Sequence, residues 1–247
     1  MVRWKVSLSQ DLFLAADRKA GALSAAFSAS GLPLRREAEV QLPAGAGPQL
    51  LAKRLVDIGL SLAALLVLAP LLLLLMVLIK ATSGGPAVFR QVREGRNGVP
   101  FVMFKFRSTR AEAADPSGLG QITRDDPRVT GIGRFIRRTG LDELPQLINV
   151  LRGDMSLVGP RPHVPGMLAG GCLYRDLVSG YDRRLVLRPG ITGWAQANGL
   201  RGATDDAVPA RARIEHDLAY IQNYSLLLDL KIMLLTLRKQ CWSETAY

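Results

Sequence analysis

The sequence predicts an α+β chain, predominantly helical, in which a re-entrant membrane helix precedes a compact domain of short strands and helices, some of them interfacial. Three observations predict it. An uncharged run from Ile58 to Ile79, "IGLSLAALLVLAPLLLLLMVLI", reaches roughly 33 Å as a helix, enough for the hydrocarbon core of a bilayer. Two runs rich in aromatic and branched residues, "AVFRQV" (87–92) and "PFVMFKF" (100–106), flank the turn-forming "REGRNG". Beyond them, apolar residues recur at helical spacing in several segments.

In chain order, the first 50 residues are poorly patterned and read as a variable extension and linker. "LSAAFSAS" is rich in small residues, but Asp17, Arg18 and Lys19 interrupt any apolar core before it, which argues against a cleaved signal peptide. "LPAGAGPQ" (42–49) reads as the linker into a membrane-inserted helix over 51–80. Length alone also fits a single-pass helix. Pro70, however, removes a backbone donor near the middle and predicts a bend. Lys53 and Arg54 precede the run while Lys80, Arg90, Arg93 and Arg96 follow it, so positive-inside bias favours the cytoplasm for both ends.

The domain then occupies 81–240, with a tail over 241–247. After the two strands comes a polar loop from Arg110 to Asp126, containing Pro116, Gly118 and Gly120. Ile132, Phe135 and Ile136 oppose Arg134, Arg137 and Arg138, the pattern of a short amphipathic helix. Leu144, Leu147, Ile148 and Leu151 predict a helix over Asp142–Leu151. Further helices are expected near 166–185 and 205–222. The last, "LLLDLKIMLLTLRK" (226–239), is apolar around much of its circumference and suits either core packing or an in-plane membrane position.

Charge narrows the partners. Lys and Arg total 32 against 21 Asp and Glu, a net charge of +11, and 48% of the residues are hydrophobic. Such a chain is too apolar to be disordered, and its partners should be anionic. With 6% aromatics and no recognised DNA- or RNA-binding module, nucleic acid is not among those expected. Cys172 and Cys241 give no disulfide framework or zinc ribbon and fit a reducing, cytoplasmic setting. His163 and His216, the two histidines, argue against a histidine-rich metal site.

Against this basic background, "LDELPQLINVLRGDMSLVGPRP" (141–162) sets Asp142 beside Glu143 at a helix start. A helix cap would account for Asp142 alone. It does not account for Arg124, Arg128, Arg134, Arg137 and Arg138 upstream or Arg161 downstream, a field suited to phosphate oxygens. Adjacent carboxylates repel unless a cation intervenes, and Mg²⁺ shared with a diphosphate would serve. One carboxylate could then attack phosphorus. "KFRS" (105–108) and "RPGITGWAQANG" (188–199) add Lys105, Arg107 and Arg188, which read either as a solvated basic face and a glycine-rich loop or as further phosphate contacts. Glycine and proline in the second motif would allow close backbone approach to a ligand, although neither a Walker loop nor GxGxxG is present.

Five long strings carry a resemblance: "KRLVDIGLS", "FRQVREGRNGVPFVMFKFRS", "TGIGRFIRRTGLDELPQLINVLRGDMSLVGPRP", "RPGITGWAQANG" and "DLAYIQNYSLLLDLKIMLLTL". Together they span about residues 53 to 238 and resemble the bacterial sugar transferase family, the monotopic polyprenyl-phosphate sugar-1-phosphate transferases. "GPRPHV" and "RPGITGWAQANGLRG" look most like the undecaprenyl-phosphate glucose phosphotransferases of exopolysaccharide synthesis, a subgroup that commonly carries extra N-terminal membrane helices. The resemblance implies a cytoplasmic catalytic domain at the bacterial inner membrane, a UDP-sugar donor, an undecaprenyl phosphate acceptor, contact with membrane lipid, and Mg²⁺. Asp142 would be the nucleophile, and Glu143 its partner in holding the metal. Arg137 and Arg161 would bind phosphate, with Lys105 and Arg107 in a basic motif. The family's proline-containing helix break would fall at Ala69-Pro70. Galactose or an N-acetylated hexose as the sugar, a non-catalytic basic membrane adaptor, and homo-oligomerisation stay open at this point.

Overall fold

In a computed structural model, residues 42–43, 46–113, 120, 122, 126–200, 202 and 205–242 are described. Arg124 and most of the 1–50 extension fall outside them. Helix α1 spans Ala46–Thr82, starting inside the expected linker, and contains Pro70 in its interior. Without a proline N–H, the Leu66 carbonyl lacks its usual helical donor, yet the flanking apolar turns carry the helix through. Its two ends are anchored on the rest of the molecule. Near the start, Lys53 donates to Asp229 at 2.7 Å, both buried, and the same carboxylate accepts from Tyr220 Oη at 2.7 Å. Near the end, Leu75 and Ile79 pack with Ala87, Phe106 and Ile136. Between them Leu66 and Val67 stay 68% and 77% exposed, an apolar surface on a helix long and apolar enough to cross a membrane.

Strands β1 (Val88–Glu94) and β2 (Pro100–Phe106) form an antiparallel hairpin whose register pairs Phe89 with Lys105 and Arg93 with Phe101. Asn97 takes φ 56° in its tip, a conformation asparagine tolerates well. Helix α2 (Gly131–Thr139) starts at an N-cap, Thr130, which accepts from the Gly133 amide, and ends at Gly140 with φ 70°. The helix expected over Asp142–Leu151 is divided. Leu141–Glu143 forms a 3₁₀ turn, and α3 begins at Gln146 and ends at Arg152. Pro145, which cannot donate an intrahelical bond, caps α3 and separates the acidic pair from it.

Strand β3 (Ser156–Val158) follows. No long helix forms over 166–185. Instead β4 (Leu168–Ala169) and β5 (Cys172–Leu173) turn tightly at Gly170-Gly171, α4 covers Tyr174–Leu177, and a 3₁₀ segment runs from Tyr181 to Val186. Positive φ at Gly170, Gly171 and Gly180 breaks the helical path in two places. β6 (Gly190–Thr192) then pairs in parallel with β3, α5 spans Trp194–Ala197, and α6 (Ala207–Gln222) and α7 (Leu226–Trp242) complete the described chain. Trp194, Tyr220, Ile221, Leu228 and Ile232 join Val158 in the principal core. The outer side of α7 presents Leu227, Leu230, Leu234 and Leu237 at helical spacing. One side of the helix therefore packs in the core, and the other presents an apolar stripe.

The glycines of "RPGITG" approach the protein's own backbone rather than a ligand. A Cβ on Gly190 would lie 2.1 Å from the Gly159 nitrogen, and one on Gly193 would lie 2.3 Å from the Gly159 oxygen. Both loops can cross there only without side chains. Gly190→Ala is expected to cost about 3 kcal/mol or more, seen as lost soluble expression or a Tm lower by roughly 6 to 12 °C. An unchanged Tm would contradict this packing.

Candidate active site

Two backbone devices place the acidic pair. Gly140 reverses α2 through its left-handed conformation, and the following 3₁₀ turn presents Asp142 and Glu143 beside β2. Asn149 of α3 fixes the distance to that strand: its Oδ1 accepts from the Phe104 amide at 3.0 Å and its Nδ2 donates to the Val102 carbonyl at 2.7 Å. The side-chain amide thus satisfies strand groups immediately before Lys105.

The two neighbours differ sharply in environment. Glu143 Oε1 accepts from Lys105 Nζ and from Arg161, each at 2.9 Å. Burial opposes its charge, but Arg161 and Lys105 outweigh burial and hold the carboxyl well below the usual range. Asp142 is 8% exposed, and no hydrogen bond or ion pair engages it among the described residues. Burial pushes its carboxyl up to about 6, against the pull of Lys105, with the Glu143 charge adding to the rise. Glu143 is therefore the fixed anion and Asp142 the one without a direct partner among the described residues.

Cations surround the pair unequally. Burial lowers the Lys105 ammonium despite Glu143, whereas Glu143 raises Arg161. Arg137 attracts the Asp142 charge, and its buried Nε has no hydrogen-bond partner among the described residues. Arg107 and Arg188 are not gathered at the dyad. Arg107 donates to the carbonyls of Gly84 and of Ser83, the latter at 2.9 Å, just past the end of α1. Arg188 Nε donates to the Gly153 carbonyl at 2.8 Å, beyond the far end of α3. Among the other arginines, Arg128 is bound to Asp126 at 2.6 Å, and Arg134 and Arg138 are exposed on α2.

Arg93 belongs to the site, although its basic strand position alone did not distinguish it. Burial lowers its guanidinium to about 10, with Arg161 adding to the fall and Glu143 opposing it. It donates to Gln91 Oε1 and, at 3.2 Å, to the Pro162 carbonyl. The signal was strand alternation: residues 89, 91 and 93 share a face of β1, and Phe89 pairs with Lys105. Arg184 likewise supports the Arg161 loop by donating to the Arg161 carbonyl while its guanidinium is held by buried Asp217 at 2.8 Å.

The donor set also limits what metal would fit. No group of three or more His, Cys, Asp or Glu side chains converges among the described residues. Asp142 and Glu143 thus offer two carboxylates, one free of hydrogen-bond donors, which suits an ion that fills its remaining positions with phosphate oxygens and water. Mg²⁺ has that preference.

A family model described as bacterial sugar transferase matches residues 48–243. The chain belongs to the bacterial sugar transferase family. This transferase is 53% identical over 184 residues to the exopolysaccharide production protein PSS of Rhizobium leguminosarum bv. phaseoli, covering 74% of the present chain and 92% of that protein. It is 48% identical over 198 residues to the undecaprenyl-phosphate glucose phosphotransferase of Komagataeibacter xylinus, covering 80% of the chain and 37% of the relative. To the UDP-glucose:undecaprenyl-phosphate glucose-1-phosphate transferase of Escherichia coli K12 it is 47% identical over 201 residues, covering 81% and 42%. The chain spans about two fifths of the length of these last two relatives. Family membership makes the protein a phosphoglycosyl transferase, and α1 fits the membrane association of such enzymes.

Proposed function

We propose that this transferase moves a hexose-1-phosphate from a UDP-sugar to undecaprenyl phosphate, releasing UMP, as the first membrane step of exopolysaccharide or related glycan assembly. The observation that carries the reading is the division of labour between the carboxylates: Glu143 Oε1 is held by two cations, while Asp142 beside it is buried and makes no hydrogen bond or ion pair among the described residues. A basic adaptor would have no use for that arrangement.

Asp142 attacks the phosphorus attached to the sugar, forming a carboxyl–phosphate bond as the bond to the UMP oxygen breaks. UMP leaves as the anion, so no proton need be supplied. An undecaprenyl phosphate oxygen then attacks the same phosphorus, yielding the lipid diphosphate-sugar and restoring the Asp142 carboxylate. Arg137 and Arg161 bear on the phosphate charge throughout, and Lys105 keeps Glu143 in place. Asp142 and Glu143 would hold Mg²⁺, which supplies neutralisation of the diphosphate when bound.

A lipid acceptor explains the anchor. The reading of α1 as re-entrant is supported by its two ends packing on one domain, since a domain on one side of a bilayer cannot hold both ends of a spanning helix. The basic flanks favour the cytoplasmic face of the inner membrane for that domain. The leucine stripe of α7 would lie in the same interface.

The test is UMP release by protein in nanodiscs with Mg²⁺, undecaprenyl phosphate and a panel of UDP-sugars. UDP-glucose is the expected donor, after the names of two relatives. Release from UDP-galactose or an N-acetylated donor alone would change the sugar. No release from any donor by folded, lipid-loaded protein would overturn the reaction.

A further inference from the structure

We infer that the entry turn of the membrane helix is a positioning device for the dyad, with Arg54 and Asp57 as its positioning residues. This deepens the proposed reaction and rests on it. Arg54 donates to the Val150 carbonyl at 2.6 Å and the Leu151 carbonyl at 3.0 Å, two of the last carbonyls of α3. One turn further along α1, Asp57, 4% exposed, accepts from the Leu157 amide in β3 at 3.0 Å. The two side chains therefore hold the end of α3 and the start of β3, on either side of the turn that joins them. Arg188 closes the clamp from the β6 side by donating to the Gly153 carbonyl within that turn.

What this turn connects gives the clamp its consequence. The acidic pair lies immediately before α3, and Arg161 lies three residues after β3. The α3–β3 unit is closed at the clamped turn and open at the site, where the 2.9 Å Glu143–Arg161 bond joins its two arms. A shift of the turn is transmitted along a helix and a strand to both arms. Misplacement of reacting groups by about 1 Å can cost on the order of a hundredfold in rate. Seating α1 thus does more than attach the domain to lipid, because the same helix turn sets the register between the nucleophile's neighbour and its phosphate-binding arginine.

Asp57→Ala, in the full chain in nanodiscs, is expected to slow UMP release roughly 10- to 100-fold. Asp57→Asn keeps an oxygen able to accept from Leu157 and should recover turnover to within about threefold. Lys53→Met is the control for mere loosening of α1: it leaves Asp229 without its cation and should lower Tm, while the folded fraction retains turnover. Amide exchange at 153–157 should quicken in Asp57→Ala and return to wild type in Asp57→Asn. Wild-type turnover in Asp57→Ala, an Asn variant as slow as the Ala variant, or a loss matching the fraction no longer inserted would each overturn the clamp. If the wild type released no UMP from any donor, the reaction would fall, and unchanged exchange at 153–157 in Asp57→Ala would separately sink the clamp.

Discussion

Asp142→Asn is expected to lower UMP release by about a thousandfold or more, yet to raise thermal stability at pH 8. The first effect follows from removing the attacking oxygen. The second follows from its environment. Buried without a donor, the Asp142 carboxyl titrates near 6 in the folded chain against 3.8 for the ordinary group. Between these values the folded protein keeps a proton that the unfolded chain has lost, so stability falls as pH rises through about 4 to 6 and stays lower above. The charged form therefore costs the fold of the order of 3 kcal/mol at neutral pH, or a Tm difference of about 6 to 12 °C. Asparagine carries no such cost. In chelator, the variant should melt higher than wild type at pH 8, and the difference should close below about pH 4. Adding Mg²⁺ should raise the wild-type Tm and leave the variant almost unmoved. A variant that melts lower at pH 8 would show that Asp142 is a structural carboxylate.

The contrast between the carboxylates was not legible in the sequence, although their adjacency was. Asp142 and Glu143 occupy the same motif, and only the fold brings Lys105, 38 positions away, and Arg161, 18 positions away, onto one of them. The β1–β2 hairpin was legible because its alternation and glycine-asparagine turn are local signals. The region 166–185 misled because its apolar residues suggest a helix, while Gly170, Gly171 and Gly180 at positive φ redirect the chain. The backbone partners of Arg107 and Arg188 were not legible either. Basic residues in a motif announce an anion partner, but the chain's own unpaired carbonyls at helix ends compete for the same guanidinium donors. Asn149 lay unmarked within an apolar-periodic helix because its role is to satisfy a strand that sequence spacing does not place beside it.

Glu143→Gln is expected to disable the enzyme through Lys105 rather than through loss of an attacking group. Glu143 sits against Lys105 and Arg161, with side-chain exposures of 17% for Lys105, 44% for Arg161 and 22% for Glu143. Solvent screens the Arg161 pair, so most of the loss falls on Lys105, a buried cation deprived of its anion, at about 2 kcal/mol. Because the folded Glu143 carboxyl lies well below its ordinary 4.5, this stabilisation is present above about pH 4.5 and fades as pH falls. The Tm deficit of Glu143→Gln should accordingly shrink on acidification, opposite in sign to the Asp142→Asn effect. Deprived of Glu143, the two cations turn to the one carboxylate left beside them. Asp142 becomes ion-paired, its carboxyl falls toward the ordinary range, and its oxygens are engaged when they should attack, so turnover should drop roughly a hundredfold. Lys105→Met combined with Glu143→Gln provides the check. Removing both members of the pair leaves no lysine without its anion and only the half-exposed Arg161 without Glu143, and the double variant should be more stable than the sum of the single losses by about 1 to 3 kcal/mol. Strict additivity would mean that Lys105 and Glu143 do not hold one another, and the asymmetry between the carboxylates would then need another cause.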